Sequence, residues 1–262
     1  MKVKQQNFFG KTESSKKLED FYISLTSYNP ETKVANHFHE KPYLCLLVSG
    51  SYQEKNYKDS EIIKTGTTLF RPANYEHANS FSNDKGVCLN IEINNPEKYM
   101  LLNDFKISEV NPQMKASIDV YKLLYFLMNG VSKDILNITC YESIFSHFDY
   151  GAVKGKLNWI YKIKEQIRGN PFAIISLSKL STEFGLHPNY IVRKFKEVTG
   201  YKLSDYLSKT RLENSLPKLV SSTKSLTSIA YDSGFYDQSH FAKNFKKHFI
   251  VSPKEFRKVI KG

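Results

Sequence analysis

Three histidines and a tyrosine stand out by their spacing: His37, His39, Tyr43 and His77. Even intervals separate the first three, so on a strand they share one face. Neutral imidazole is a ligand for zinc, iron or nickel, and three of them leave coordination positions open. The set lacks a carboxylate, because Glu40 and Glu76 have the wrong parity or position to supply one. The same histidines can instead line a pocket or hydrogen-bond within a barrel. Arg71 is the one pocket-edge cation, able to hold a ligand carboxylate or hydroxyl, or to lie exposed at a strand end. The expectation is a pocket lined by His37, His39, Tyr43, Arg71 and His77, with no catalytic residue, resident metal or cofactor.

A second group of chemically capable residues lies in the other half of the chain. Residues 1–155 contain 18 Lys/Arg and 18 Asp/Glu, whereas residues 156–262 contain 20 and 8, so the second stretch carries the whole net charge of +12. Such a division predicts two domains, the basic one facing a polyanion. Within it the chain aligns with itself: LSKLSTEFGL at 177–186 lies over LTSIAYDSGF at 226–235, with Gly185 on Gly234. Phe195-Lys196 then matches Phe245-Lys246, and Tyr206 matches Phe256. Each copy reads as a short helix, a turn with glycine, and a second helix, which is a helix-turn-helix. In the first copy Ile191, Phe195 and Val198 are spaced for the core, leaving Asn189, Arg193 and Lys196 outward. In the second, Phe241 and Phe245 face inward and Gln238, Ser239, Lys243 and Lys246 outward. Arg or Lys reads guanine and Asn or Gln reads adenine in a major groove, so both outward faces suit DNA.

The elements that position these groups follow from periodicity. FYISLTSY, YLCLLVSG, TTLFRP and VCLNIEI are short β-branched and aromatic runs between turn signals, predicting a sandwich or small barrel over residues 18–95. Residues 112–149 change to helical spacing and break at Asn129-Gly130, a helical hairpin. Leu124, Phe126 and Leu127 point different ways around its first helix, which predicts either a dimer contact or complete burial by the rest of the chain. Cys45, Cys88 and Cys140 lie among apolar neighbours and read as reduced core thiols. No apolar run reaches eighteen residues and the first residues lack the apolar stretch of a signal peptide, so the expectation is a cytoplasmic protein without a membrane partner.

The basic half closely resembles the AraC/XylS family of bacterial transcription regulators, through SLTSIAYDSGFYDQSHFAKNFKKHFIVSPKEFRK and LSKLSTEFGLHPNYIVRKFKEVTGYKLSDYLSKTRLENS. The resemblance covers about residues 157–260. It implies seven helices in which a long linker helix joins two helix-turn-helix units that enter successive major grooves. It places base reading on Asn189, Val192 and Arg193 and on Gln238, Ser239 and Lys243, while Lys196 and Lys246 are assigned to phosphates. Two residues depart from the pattern. Pro217 falls inside the linker helix and is expected to end it near Ser215. Ile250 stands where the family usually has glycine and where the first copy has Gly200.

The intervals His37-x-His39, Gly50, Gly66, Pro72 and His77 are similar to the two cupin motifs, with Tyr43 in the place of a glutamate ligand and Asn74 in the place of a glycine. The resemblances together imply an α+β chain of two domains. Residues 1–150 form a cupin-like β-barrel with a helical hairpin for effector sensing and dimerisation, 151–156 a linker, and 157–262 the DNA-binding domain. The function expected is that of an effector-responsive regulator, not an enzyme. It binds double-stranded DNA as a homodimer, takes a small-molecule effector, contacts RNA polymerase and favours activation. Two alternatives stay open: a metal-binding cupin enzyme fused to a DNA-binding domain, and a regulator whose N-terminal domain only dimerises.

Overall fold

The computed structural model describes residues 2–3, 8–96, 113–148, 157–172 and 175–261. The chain forms two compact units. One comprises Met1–Gly151, Leu219–Thr223 and Lys254–Gly262, the other Ala152–Lys218 and Lys224–Pro253. The expected linker at 151–156 lies outside the described residues.

The first unit is built on two sheets. One runs β1 (Lys2–Val3), β4 (Lys33–His39), β9 (His77–Phe81), β6 (Ser51–Lys55), β7 (Ser60–Lys64). The other runs β11 (Gln113–Lys115), β8 (Thr67–Arg71), β5 (Tyr43–Ser49), β10 (Gly86–Ile93), β3 (Phe21–Tyr28), β2 (Lys11–Lys17). Tyr28, Val34, Tyr43, Leu47, Tyr52 and Phe81 come from both sheets and bury one another, so the core lies between the two layers. The runs expected as strands are β3, β5, β8 and β10, the most buried strands of the unit. Gly50 turns β5 into β6 at φ 84°, and a Cβ there would stand 2.9 Å from the Lys85 carbonyl, so only glycine fits. Cys45, Cys88 and Cys140 are free and buried, as the composition predicts.

The helical hairpin is α1 (Ile118–Asn129) and α2 (Lys133–Phe148), separated at Gly130, which takes the left-handed conformation. Leu124 and Leu127 are buried within the chain and Phe126 is half-buried, so burial rather than a free dimer face accounts for the nearly all-round apolar character of α1. Among the residues whose side chains are described, the exposed apolar ones of the hairpin are Met128 at the end of α1 and Ile135 and Ile138 on α2.

Among the described residues seven helices follow, as the resemblance implies: α3 (Asn158–Gly169), α4 (Leu177–Phe184), α5 (Pro188–Thr199), α6 (Leu203–Ser221), α7 (Leu226–Tyr231), α8 (Gln238–Phe249) and α9 (Pro253–Lys261). Ile160, Ile163, Leu180, Ile191, Phe195 and Tyr206 make one core around α3 to α6. The end expected for α6 near Ser215 is corrected: the helix continues through Pro217 to Ser221. A proline in a helix interior costs ~3 kcal/mol. Leu212, Leu216 and Leu219 are fully buried on either side of it, and losing that burial by unwinding would cost more, at about 1.5–3 kcal/mol each.

Ile250 closes α8 at φ 66°, the left-handed position that Gly200 takes at φ 75° after α5. A β-branched residue is strained there, and its side chain is 88% exposed, so little packing offsets the strain. Ile250→Gly is therefore expected to raise stability by about 1 kcal/mol, read as a higher midpoint in urea; an unchanged or lower midpoint would show that the strain is already relieved.

Candidate nucleic-acid interface and histidine cavity

The two helix-turn-helix copies fold as matching pairs, α4 with α5 and α7 with α8. Each second helix begins with a side-chain cap. The His187 ring accepts the Asn189 amide N–H at 3.3 Å and Pro188 takes the first turn, where its missing N–H costs nothing. Asp237 accepts the His240 N–H at 2.7 Å. Ile191 and Phe195 in the first helix, and Phe241 and Phe245 in the second, are wholly buried. Val198 is half-buried. This fixes the rotation of both helices, and Asn189, Val192, Arg193 and Lys196 on α5 and Gln238, Ser239, Lys243 and Lys246 on α8 all lie exposed.

Two of these side chains are held in place. The Arg193 guanidinium lies 5.9 Å from the Tyr190 ring, a cation–π distance. The Thr227 hydroxyl donates to Gln238 Oε1 at 2.6 Å, which orients the amide from the neighbouring helix. Lys196 and Lys246 fall in the last turns of α5 and α8, where they also complement the helix dipole. Tyr236, immediately before the Asp237 cap, is 84% exposed. Periodicity missed it because it lies outside the helix, although an aromatic next to a cap before a recognition helix is visible in the sequence.

In the first unit the strands gather three of the expected pocket residues closely. His37 on β4 pairs directly with His77 on β9, and their rings are 4.3 Å apart. His39 follows on the same face of β4, 5.3 Å from His37. Candidate ligand atoms of the three lie within 4.8 Å of one another, and all three residues are buried. Burial lowers the pKa of His37 and His77 to about 4 and of His39 to about 3, so the rings are neutral. His37 Nδ1 donates to the Ala35 carbonyl at 2.9 Å and His77 Nδ1 to the Tyr75 carbonyl at 3.1 Å. Carbonyls only accept, so each Nε2 carries the bare lone pair. Tyr43 donates its hydroxyl to His77 Nε2 at 3.2 Å, and burial pushes its pKa well up, keeping it protonated. These neutral, backbone-oriented imidazoles are a donor set that fits a divalent cation.

Arg71 is not among the residues lining this cavity. It is buried, with one guanidinium nitrogen bonded to Glu54 and another donating to the Phe70 carbonyl at 3.1 Å. Its guanidinium also lies 4.9 Å from the Tyr75 ring. Burial opposes its charge, but Glu54 outweighs burial and holds the pKa above the ordinary value. Burial also pushes the Glu54 carboxyl up, against the pull of Arg71. Sequence reading missed Glu54 because its partner lies seventeen residues away on another strand. It missed Phe8 and Phe9 as well. Phe8 packs 4.8 Å from His39 and 5.4 Å from Tyr43, and Phe9 packs 4.7 Å from His37. The Phe8-Phe9 pair in a polar stretch was the available signal.

Comparison with known proteins gives the following. Residues 180–259 match the family described as a helix-turn-helix domain. The chain is 26% identical over 252 residues to the HTH-type transcriptional activator RhaS of Mannheimia succiniciproducens, covering 90% of this chain and 93% of that one. It is 32% identical over 98 residues to RhaS of Yersinia pestis, which covers 37% of this chain and 36% of the relative. Among solved structures, unsaturated fatty acid bound ToxT from Vibrio cholerae matches with TM-score 0.39 and 16% identity, covering 93% of this chain and 97% of that one.

Proposed function

We propose that this protein, a DNA-binding transcription regulator whose C-terminal residues form an AraC-type helix-turn-helix domain, reads base edges with the exposed faces of α5 and α8 under the control of its N-terminal domain. One observation carries the reading: two matching helices in the basic half, each fixed in rotation by buried apolar side chains, expose the same kinds of base-reading side chain. Asn189, Val192 and Arg193, with Gln238, Ser239 and Lys243, contact bases, and Lys196 and Lys246 hold phosphates. The assignment of 1–150 to sensing and dimerisation, 151–156 to a linker and 157–262 to DNA binding belongs to the same proposal.

The N-terminal domain responds to an effector at the histidine cavity, and the output is activation through RNA polymerase, supported by the names of the RhaS relatives. The protein acts in the cytoplasm and performs no catalysis of its own. It works as a homodimer. Because Leu124 and Leu127 are already buried, the dimer surface on the hairpin is assigned to Ile135 and Ile138, spaced one turn apart and exposed. A divalent cation, when bound, would be held by His37, His39 and His77 and would supply a fixed positive charge among neutral rings.

The test is selection of bound fragments from the host genome, followed by variants on the sequence obtained. Arg193→Ala is expected to cost ~1–3 kcal/mol on the selected site and to relax preference at one base position. Lys196→Ala should weaken all sequences alike and lower the salt slope by about 1. Equal weakening of selected and random DNA by Arg193→Ala would remove Arg193 from the base-reading set.

A further inference from the structure

The turn glycines of the two helix-turn-helix copies are not equivalent. Gly185 and Gly234 both take the left-handed conformation, at φ 64° and 87°. A Cβ on Gly185 would meet nothing within 4 Å, so that position asks only for the backbone angle. A Cβ on Gly234 would stand 2.9 Å from the Pro171 carbonyl oxygen and 3.1 Å from Arg211 Nε. The turn of the second copy is thus pressed against the loop that leads from α3 into the first copy, and against a side chain of α6. We infer that Pro171, Arg211 and Gly234 form a junction that fixes the orientation of one copy relative to the other, with Arg211 as the positioning residue for docking both on DNA. The inference rests on the reading that α5 and α8 each take one half-site.

Each part of the junction is held from its own side. The Asn170 side chain accepts the Phe172 N–H at 3.2 Å, a local turn around Pro171. Arg211, near the middle of α6, donates from Nε to the Pro171 carbonyl at 2.7 Å. Two helical turns further on, and so on the same face of α6, Lys218 donates to the Asp232 carbonyl and to Ser233 Oγ, the latter at 3.3 Å. One face of α6 therefore grips the loop of the first copy through Arg211 and the turn of the second through Lys218. The helix alone does not set their orientation. Non-helical residues 200–202 join it to α5 and 222–225 join it to α7, and their dihedrals are free to swing either copy. The contact of Pro171 with Gly234 closes across both joints.

The consequence is for how the second helix lands. Once α5 is docked, binding of α8 is intramolecular, and its strength depends on how much of the time the second copy already points at its half-site. A junction that holds both copies in one arrangement removes the ordering cost that a loose pair meets on DNA. Arg211 and Gly234 lie outside the apolar core around α3 to α6 that fixes α5. Opening the junction therefore leaves each recognition helix intact and changes only their cooperation.

The experiment uses the full chain on three duplexes, the genome-selected site and two in which one or the other half-site is scrambled, with binding read by fluorescence anisotropy at one salt concentration. The parent is expected to prefer the full site to either half. Arg211→Ala should cut that preference about tenfold while half-site affinity stays unchanged. Arg211→Gln should keep it, because glutamine carries its amide nitrogen at the chain position of arginine Nε and still donates to the Pro171 carbonyl without the charge. Gly234→Ala, which pushes Pro171 and Arg211 away, should behave like Arg211→Ala. Circular dichroism checks its folding, and Arg211→Ala, which adds no atoms, carries the test if Gly234→Ala does not fold. Full-site preference retained by Arg211→Ala overturns the junction. An equal loss on full and half sites, or the same loss in Arg211→Gln, makes Arg211 a phosphate contact or a support of the fold and overturns it as well. A parent that binds the full site no better than a half-site overturns the two-helix reading itself, a failure visible before any variant is made.

Discussion

Replacing Glu54 with alanine is expected to destabilise the first unit by about 3–5 kcal/mol, because it strands a guanidinium in the barrel interior. Glu54 and Arg71 are each 5% exposed at the side chain, and the pair joins β6 of one sheet to β8 of the other. The Arg71 guanidinium is buried, so the loss reflects a buried cation deprived of its carboxylate more than a missing attraction. The double variant Glu54→Met/Arg71→Met separates these effects. It removes both charges, keeps roughly the volume, and should recover most of the loss. Urea unfolding of the two variants beside the parent checks this. A double variant as unstable as Glu54→Ala would mean that the hydrogen bond to the Phe70 carbonyl and the ring contact of Tyr75 matter more than the charge.

The second large effect is in the basic half. Phe245 is fully buried on α8, 5.8 Å from the Phe241 ring and stacked 4.4 Å from Phe249. Phe245→Ala opens a cavity within this aromatic column at a cost of about 3–5 kcal/mol. Because the same packing fixes the rotation of α8, Gln238, Ser239 and Lys243 lose their common orientation together. The expected result is a lowered melting temperature with a loss of affinity for selected DNA larger than that of Lys243→Ala alone. Loss of stability without loss of affinity would show that DNA binding re-forms the helix and that the column is not what presents these side chains.

Sequence periodicity revealed these elements unevenly, for physical reasons. The repeat at 177–186 and 226–235 could be read because each copy must bury one face, which leaves a strict apolar spacing. Strands β3, β5 and β10 were legible because they are buried over nearly their whole length. Strand β2, KTESSKK, is exposed along almost its whole length on a sheet edge, so backbone pairing with β3 holds it and no hydrophobic pattern marks it. The histidines were visible as a spacing, but their meaning lay in three dimensions. The Tyr43 hydroxyl meets His77 across 34 residues, and no local pattern encodes that. Arg71 looked free because its partner is likewise distant. Pro217 misled in the opposite sense: the local rule ends the helix, and buried leucines on both sides of the proline override it.

The uninterrupted α6 bears on the promoter as much as on the protein. Its 19 residues make a rod of about 28 Å between the two helix-turn-helix units. A flexible tether would let each unit find its own half-site across a range of spacings, and inserting a whole turn of DNA would leave binding nearly intact. A rod works as a ruler. On the proposed docking of α5 and α8, substitutions in the bases between two half-sites leave its ends where they were, but one inserted base pair shifts and rotates the second half-site away from α8. Promoters read in the proposed way would thus be free to drift in letters and held fixed in length.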